Sequence, residues 1–238
     1  MMDPTAMAVD ASTRGAGVGS GGVGGPLPAI RGDAFLHLAT SHRAITVLFC
    51  DIQGFTPMCN EVPPSTVMAF LNDLFTRVDR LLDPFGVYKV ETIGDCYVAA
   101  GGLMKVDEET GAVTVRSDDV DPQHAYRTVQ FAKALLSAAT AVRLPTTGQP
   151  VRLRVGIHSG PAMSGVVGTR MPRFCLFGDT INTASRMEST GVPGAIHVSQ
   201  ATRDLVPGEA WEATGGVEVK GKGNMSTFVL RPPVSEGW

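Results

Sequence analysis

From about Ala44 onward, β-branched apolar runs alternate with runs of helical period in one order: strand, helix, hairpin, helix, strand. Ile45 to Asp51 reads as the first strand. A helix follows from Pro64 to about Asp83, with Ser65, Met68, Leu71, Phe75, Val78 and Leu82 near a 3.6-residue period. Val87 to Ile93 and Cys96 to Ala100 face each other across Gly94-Asp95 as a hairpin. Asp121 as N-cap and Pro122 at the first helical position open a second helix, which runs through Val129, Leu135 and Leu136 toward Val142. Val151 to His158 closes the set, alternating apolar residues with Arg152 and Arg154.

That order predicts an α+β domain with a ferredoxin-like βαββαβ core and a C-terminal extension. Its helices are expected on one face of the sheet, leaving the other for a ligand or partner. The domain is expected over residues 44–232. Residues 1–43 read as a flexible lead-in, because 1–27 are dominated by Gly, Ala, Ser and Thr and cannot offset the entropy of ordering. Residues 233–238 read as a tail. With 238 residues, 43% of them hydrophobic, the chain can bury one good core.

A net charge of −3 argues against a general nucleic-acid binder, which needs a basic face. With 3 Tyr and 2 Trp the chain is also poor in the aromatics of an RNA-binding sheet. Cys50, Cys59, Cys96 and Cys175 show no CxxC pair, so a reduced, cytoplasmic chain is expected. No apolar run approaches the ~20 residues that span a bilayer, and Met1 to Asp10 has no secretory pattern. Any membrane attachment is therefore expected through a region absent from this chain.

Two aspartates end strand-like runs beside glycine turns: Asp51, before Ile52-Gln53-Gly54-Phe55-Thr56, and Asp95, after Gly94. An aspartate in that place is ordinarily a turn former. Two of them on rigid strand ends also suit a pair of magnesium ions, since hard cations take oxygen ligands and keep most of their water. Asp179 is placed to cap a third helix, on which Asn182 and Arg186 are four apart and share a face. An amide and a guanidinium there suit a ribose and a phosphate. Val219-Lys220-Gly221-Lys222-Gly223 places two bases between glycines at a strand lip, and Met104 to Asp119 reads as an acidic, solvated loop.

Five segments, Ile45 to Thr56, Tyr88 to Tyr97, Arg154 to Gly160, Arg173 to Ser189 and Val219 to Gly223, together resemble the catalytic domain of class III nucleotide cyclases, in order and at family spacing. The resemblance is to the guanylyl cyclase branch, which makes cyclic GMP from GTP. It implies two Mg2+ or Mn2+ ions on Asp51, Asp95 and the Ile52 carbonyl, and a head-to-tail homodimer with sites at its interface. It implies guanine reading by Glu91 and Cys175, ribose orientation by Asn182 and charge stabilisation by Arg186. Lys220 is implied to hold the terminal phosphates, with Phe55 and Thr56 also at the substrate. Adenylyl members resemble this chain but usually carry Lys and Asp or Thr at the two base-reading places. Ala195 stands where many members carry a basic phosphate contact, with Arg173 or Lys222 as candidates to compensate. His158 is assigned a structural role. The alternative is a non-catalytic relative serving as the regulatory half of a heterodimer. Such halves usually lack the metal carboxylates or the Asn/Arg pair, and this chain has both.

Overall fold

The computed structural model describes residues 39–107, 109–117, 119–168, 170–219 and 221–233. Most of the expected lead-in, Lys220, Glu108, Asp118 and most of the expected tail lie outside the described residues.

β1 (Thr40–Ile52) is the spine of the fold. It lies between β3 (Cys96–Gly101) and β6 (Leu153–Val167), antiparallel to both. With β2 (Val87–Ile93) at the edge, the order β2-β3-β1-β6 is that of the expected βαββαβ core. The sheet continues through β8 (Ile196–Ser199) and β12 (Thr227–Leu230) to β9 (Glu212–Ala213), and β7 (Arg173–Phe177) pairs the far half of β6.

Alternation along β1 divides its side chains between two cores. Leu48, Cys50 and Ile52 face a large cluster with Leu74 and Val78 of α2 (Pro64–Asp79) and Val129, Phe131 and Leu135 of α4 (His124–Ala139). Ile45, Val47 and Phe49 face a smaller cluster that includes Ala184 of α5 (Asp179–Ser189). The second face is thus partly covered, against the expectation of a free one. Gly156 permits it: a Cβ there would lie 1.9 Å from the Glu188 nitrogen, so only glycine lets the last turn of α5 rest on β6.

Other elements depart from expectation in identifiable ways. β1 starts at Thr40, within the expected lead-in, because buried His42 finds Ser164 Oγ at 2.8 Å across the sheet before a register shift ahead of Ile45. The first helix ends at Asp79, and Leu82–Phe85 forms a separate single turn, α3. A short helix not expected at all, α1 (Phe55–Glu61), follows Gly54, whose φ of 79° is the left-handed conformation that glycine tolerates. Asp121 is not the N-cap of α4. It accepts the Gln123 N–H at 2.9 Å within a preceding turn, and the helix begins at His124.

The Met104 to Asp119 stretch is not a plain loop. Within it β4 (Met104–Val106) pairs β5 (Val113–Val115), with Asp107 accepting the Thr110 N–H at 2.8 Å in the turn. His158 has the expected structural role: Nδ1 lies 2.6 Å from Ser199 Oγ, and burial, reinforced by the charge of Lys222, pushes its pKa down to about 4. Among the described residues, no helix is long and apolar enough to cross a membrane.

Candidate active site

Asp51 leaves the end of β1, and Asp95 occupies the two-residue turn between β2 and β3, where Gly94 takes φ 63°. Because β1 and β3 are neighbours, the two carboxyls meet. Asp95 is pushed up to about 7, first by burial and then by a hydrogen bond with Asp51 and its like charge. The amides of Asp95 and Ile52 oppose the shift by favouring the charged form. A carboxyl pair of this kind invites a cation in place of the proton, and an all-oxygen donor set suits Mg2+ or Mn2+. Among the described residues, no cluster of three or more His, Cys, Asp or Glu could hold a metal. The pair therefore fits a metal that takes its remaining ligands from water and phosphate.

Two residues in this corner were not singled out from the sequence. Arg154 stands opposite Asp51 in the β1–β6 register and pairs with it through Nη2. Its Nε donates at 3.0 Å to Glu188, a buried carboxylate in the last turn of α5. Burial raises the Glu188 carboxyl and the Asp51 charge adds to it, against the pull of Arg154. A cation within the apolar alternation of β6 was the available signal for Arg154. Glu188 offered none, because its burial follows from the tertiary approach at Gly156.

Toward the same end of β2, Arg173 joins Glu91 to β7, the strand that carries Cys175. The guanidinium lies 3.4 Å from Glu91 Oε2, and the Cys175 thiol lies 3.6 Å from the Arg173 carbonyl oxygen. Tyr88 and Phe174 meet edge to face at 6.1 Å, closing β2 toward β7. An open cavity of about 370 Å3 lies here, lined by Lys89, Val90, Glu91, Thr92, Arg173 and Phe174. Lys89 is held in its wall by Asp79, with Nζ 2.8 Å and 2.9 Å from the two carboxylate oxygens.

α5 presents Asn182 and Arg186 together on its exposed face while Thr183, Ala184 and Met187 are buried beneath. Among the described residues, neither exposed side chain hydrogen-bonds with the Asp51–Asp95 corner. Asp179 is the first residue of this helix rather than its cap, and Gly178 at φ 125° precedes it. Its carboxylate instead takes Lys222, which also donates at 2.9 Å to Thr183 Oγ1. Lys222 thereby ties the hairpin of β10 (Val217–Val219) and β11 (Gly223–Met225) to α5. Ala195 is buried, and both candidate compensators, Arg173 and Lys222, are already paired. Phe55 packs against the larger core from α1 and Thr56 beside it is exposed, both one turn from Asp51.

The family model described as the adenylate and guanylate cyclase catalytic domain matches residues 38–232. The chain belongs to that family. It is 44% identical over 194 residues to the guanylate cyclase soluble subunit beta-2 of Rattus norvegicus, which covers 81% of this chain and 26% of that one. It is also 44% identical over 197 residues to the receptor-type guanylate cyclase gcy-28 of Caenorhabditis elegans, covering 81% of this chain and 14% of that one. The chain thus spans 26% and 14% of the lengths of these two relatives. Among solved structures, the guanylate cyclase domain of RhGC from Catenaria anguillulae in complex with GTP superposes with a TM-score of 0.70 at 38% identity. That match covers 80% of this chain and 97% of the other.

Proposed function

We propose that this domain converts GTP to cyclic GMP and pyrophosphate, at a site completed by a second copy of the chain. The reading rests on one juxtaposition. A single hairpin, β2–β3, carries both a member of the carboxylate pair, Asp95, and the carboxylate of the cavity wall, Glu91, four residues away.

The 3′-oxygen of the ribose forms a bond to the α-phosphorus as the bridging bond to pyrophosphate breaks in line, with release of the 3′ O–H proton. Asp51, Asp95 and the Ile52 carbonyl would hold Mg2+ or Mn2+, which when bound would supply the positive charge that favours loss of the 3′-hydroxyl proton and departure of pyrophosphate. Glu91 accepts from the guanine N1–H and exocyclic amine, which adenine does not offer in that pattern, and Cys175 donates to O6. The partner copy brings Asn182 to the ribose and Arg186 to the α-phosphate, where preorganised charge acts in the transition state. Lys220 meets the terminal phosphates, and Phe55 and Thr56 border the triphosphate. The catalytic unit is residues 44–232 together with the four preceding residues of β1.

That Asn182 and Arg186 are exposed, with no side-chain hydrogen bond among the described residues, supports a site shared between copies. So does the apolar ribbon of Met163, Val167, Met171 and Phe177 along the β6–β7 hairpin, each about half exposed or more. The test is turnover of GTP and ATP with Mn2+ over a range of protein concentrations. Cyclic GMP should form in preference to cyclic AMP, with specific activity falling on dilution. Mixing inactive Asp51→Ala and Asn182→Ala chains should restore activity, because the mixed dimer has one intact site. Absence of cyclic GMP, or no recovery in demonstrated mixed dimers, would overturn the corresponding part of the reading. A regulatory half would give no product at any concentration.

A further inference from the structure

We propose that Glu188 is a positioning residue of the carboxylate corner: it holds the Arg154 guanidinium against Asp51 and offsets its charge, so that Asp51 and Asp95 keep the net negative charge a divalent cation requires. The proposal deepens the metal-binding reading above and rests on it.

The placement begins with Gly156. A Cβ at that position would lie 1.9 Å from Glu188 N and 2.5 Å from the Met187 carbonyl carbon, so the backbone of α5 lies directly on β6 there. Residues 154 and 156 share a face of that strand, which puts the Glu188 side chain beside Arg154. The carboxylate is 10% exposed, and its resolved partner is Arg154 Nε at 3.0 Å. Exposed neighbours on the same helix, Asn182 and Arg186, point elsewhere. Glu188 therefore belongs to the interior face of α5, turned toward the metal corner.

Two physical consequences follow. A guanidinium is a rigid planar fork, so fixing Nε on Glu188 also fixes the direction of Nη2, which meets Asp51. The Asp51 carboxylate is thus oriented from behind, leaving its remaining lone pairs for a ligand. Charge provides the second consequence. With all three ionised, the carboxylates of Asp51, Asp95 and Glu188 set three negative charges in this corner against the one guanidinium of Arg154, a net of two. Without Glu188 the same guanidinium would halve that, and an unbalanced cation against Asp51 would compete with a metal for the same oxygens. Partners behind metal ligands commonly govern affinity to this degree.

The experiment measures Mn2+ binding by electron paramagnetic resonance of the free ion, without nucleotide, so no turnover is involved. Four proteins form a cycle: the parent, Glu188→Gln, Arg154→Gln and the double variant. Glu188→Gln should weaken Mn2+ binding about tenfold when Arg154 is present. In the Arg154→Gln background the same change should cost less than about threefold, because there is no guanidinium left to hold or offset. An equal loss in both backgrounds would mean that Glu188 acts through its own charge or the fold, and would overturn the proposal, as would no loss at all. Thermal melting identifies a variant that has not folded, and Glu188→Asp, one methylene shorter, then takes its place in the cycle. Asp51→Asn is the control that must abolish binding. If the parent itself takes up no Mn2+, the two-carboxylate reading falls first and this proposal with it.

Discussion

The strand pair β1–β6 carries two polar clusters of opposite character. In its middle, Thr46 opposes Ser159, and Thr46 Oγ1 lies 2.6 Å from His124 Nδ1 and 2.7 Å from Ser159 Oγ. Ser159 Oγ in turn lies 2.9 Å from Thr202 Oγ1, and all four side chains are buried. At its end, five residues along, Asp51 pairs with Arg154 opposite it and also meets the like-charged carboxyl of Asp95, and these groups are partly exposed. Neutral hydroxyls and an imidazole that satisfy one another bind the strand pair to α4 and to α6 (Gln200–Leu205). Carboxyls pressed together leave an interaction unfilled. Buried polarity alone therefore does not single out the candidate site here; the like-charged carboxyl pair does.

The comparison breaks most sharply on the carboxylates. If they hold the metals as proposed, Asp51→Asn or Asp95→Asn should lower cyclic GMP formation at least about a thousandfold, since removing a metal ligand costs several kcal/mol at the transition state. The melting temperature should hold or rise as repulsion is relieved. Parallel calorimetry and turnover measurements check both halves.

Gly156→Ala should damage both properties together, because it sits where α5 meets the strand pair. Forcing a methyl against the Glu188 backbone should cost about 3 kcal/mol in urea unfolding, with activity lost in the folded fraction as Arg186 and Glu188 shift. Retained activity in a destabilised protein would mean that the approach at Gly156 serves packing alone. Thr46→Val tests the middle cluster by itself. It leaves His124 Nδ1 and Ser159 Oγ short of a partner and should cost about 2 kcal/mol, with kcat of the folded protein unchanged.

The buried histidines and the carboxyl pair should also answer pH with opposite signs. Burial lowers the pKa of His42, His124, His158 and His197, with His158 at about 4. The unfolded chain then binds more protons below the ordinary value of 6.5, so this contribution to stability is full above 6.5 and is lost as pH falls toward 4. Asp95 is raised from 3.8 to about 7, so its contribution is full at low pH and is lost as pH rises through that window. Mn2+ should restore the second loss and leave the first untouched, which melting curves across pH with and without the ion would read.

The smallest effect is expected at Lys222. Lys222→Met should raise KM for GTP by roughly threefold with little change in kcat, because a partly exposed ion pair that places a hairpin contributes about 1 kcal/mol or less. A large fall in kcat would put Lys222 at the reacting phosphate instead.

Much of this was legible because it is local. Periodicity located α2, α4, the β2–β3 hairpin and the order of the core, and the aspartates at strand ends were visible as the residues closing apolar runs. What was missed shares a cause. The start of β1 depends on His42 reaching Ser164, 122 residues away. α1 begins with Phe55-Thr56-Pro57 after a left-handed glycine, a stretch in which proline hides the helical period. The β4–β5 hairpin is two three-residue strands within an acidic composition.

The sequence by itself determined the family, the α+β order of elements and the residue types on offer: paired carboxylates, an amide and a guanidinium on one helical face, and a glutamate and a cysteine on separate strands. The family follows from the resemblance of five motifs, and the rest from residue types and their spacing along the chain. Which charges confront which was decided by tertiary structure alone. Asp51 meets Arg154 through strand register, and Glu188 meets Arg154 because a glycine lets a helix backbone touch the sheet. Glu91 meets Arg173 because β7 folds back toward the edge strand. Electrostatic interactions depend on distance and burial, and neither is written in a linear order of residues.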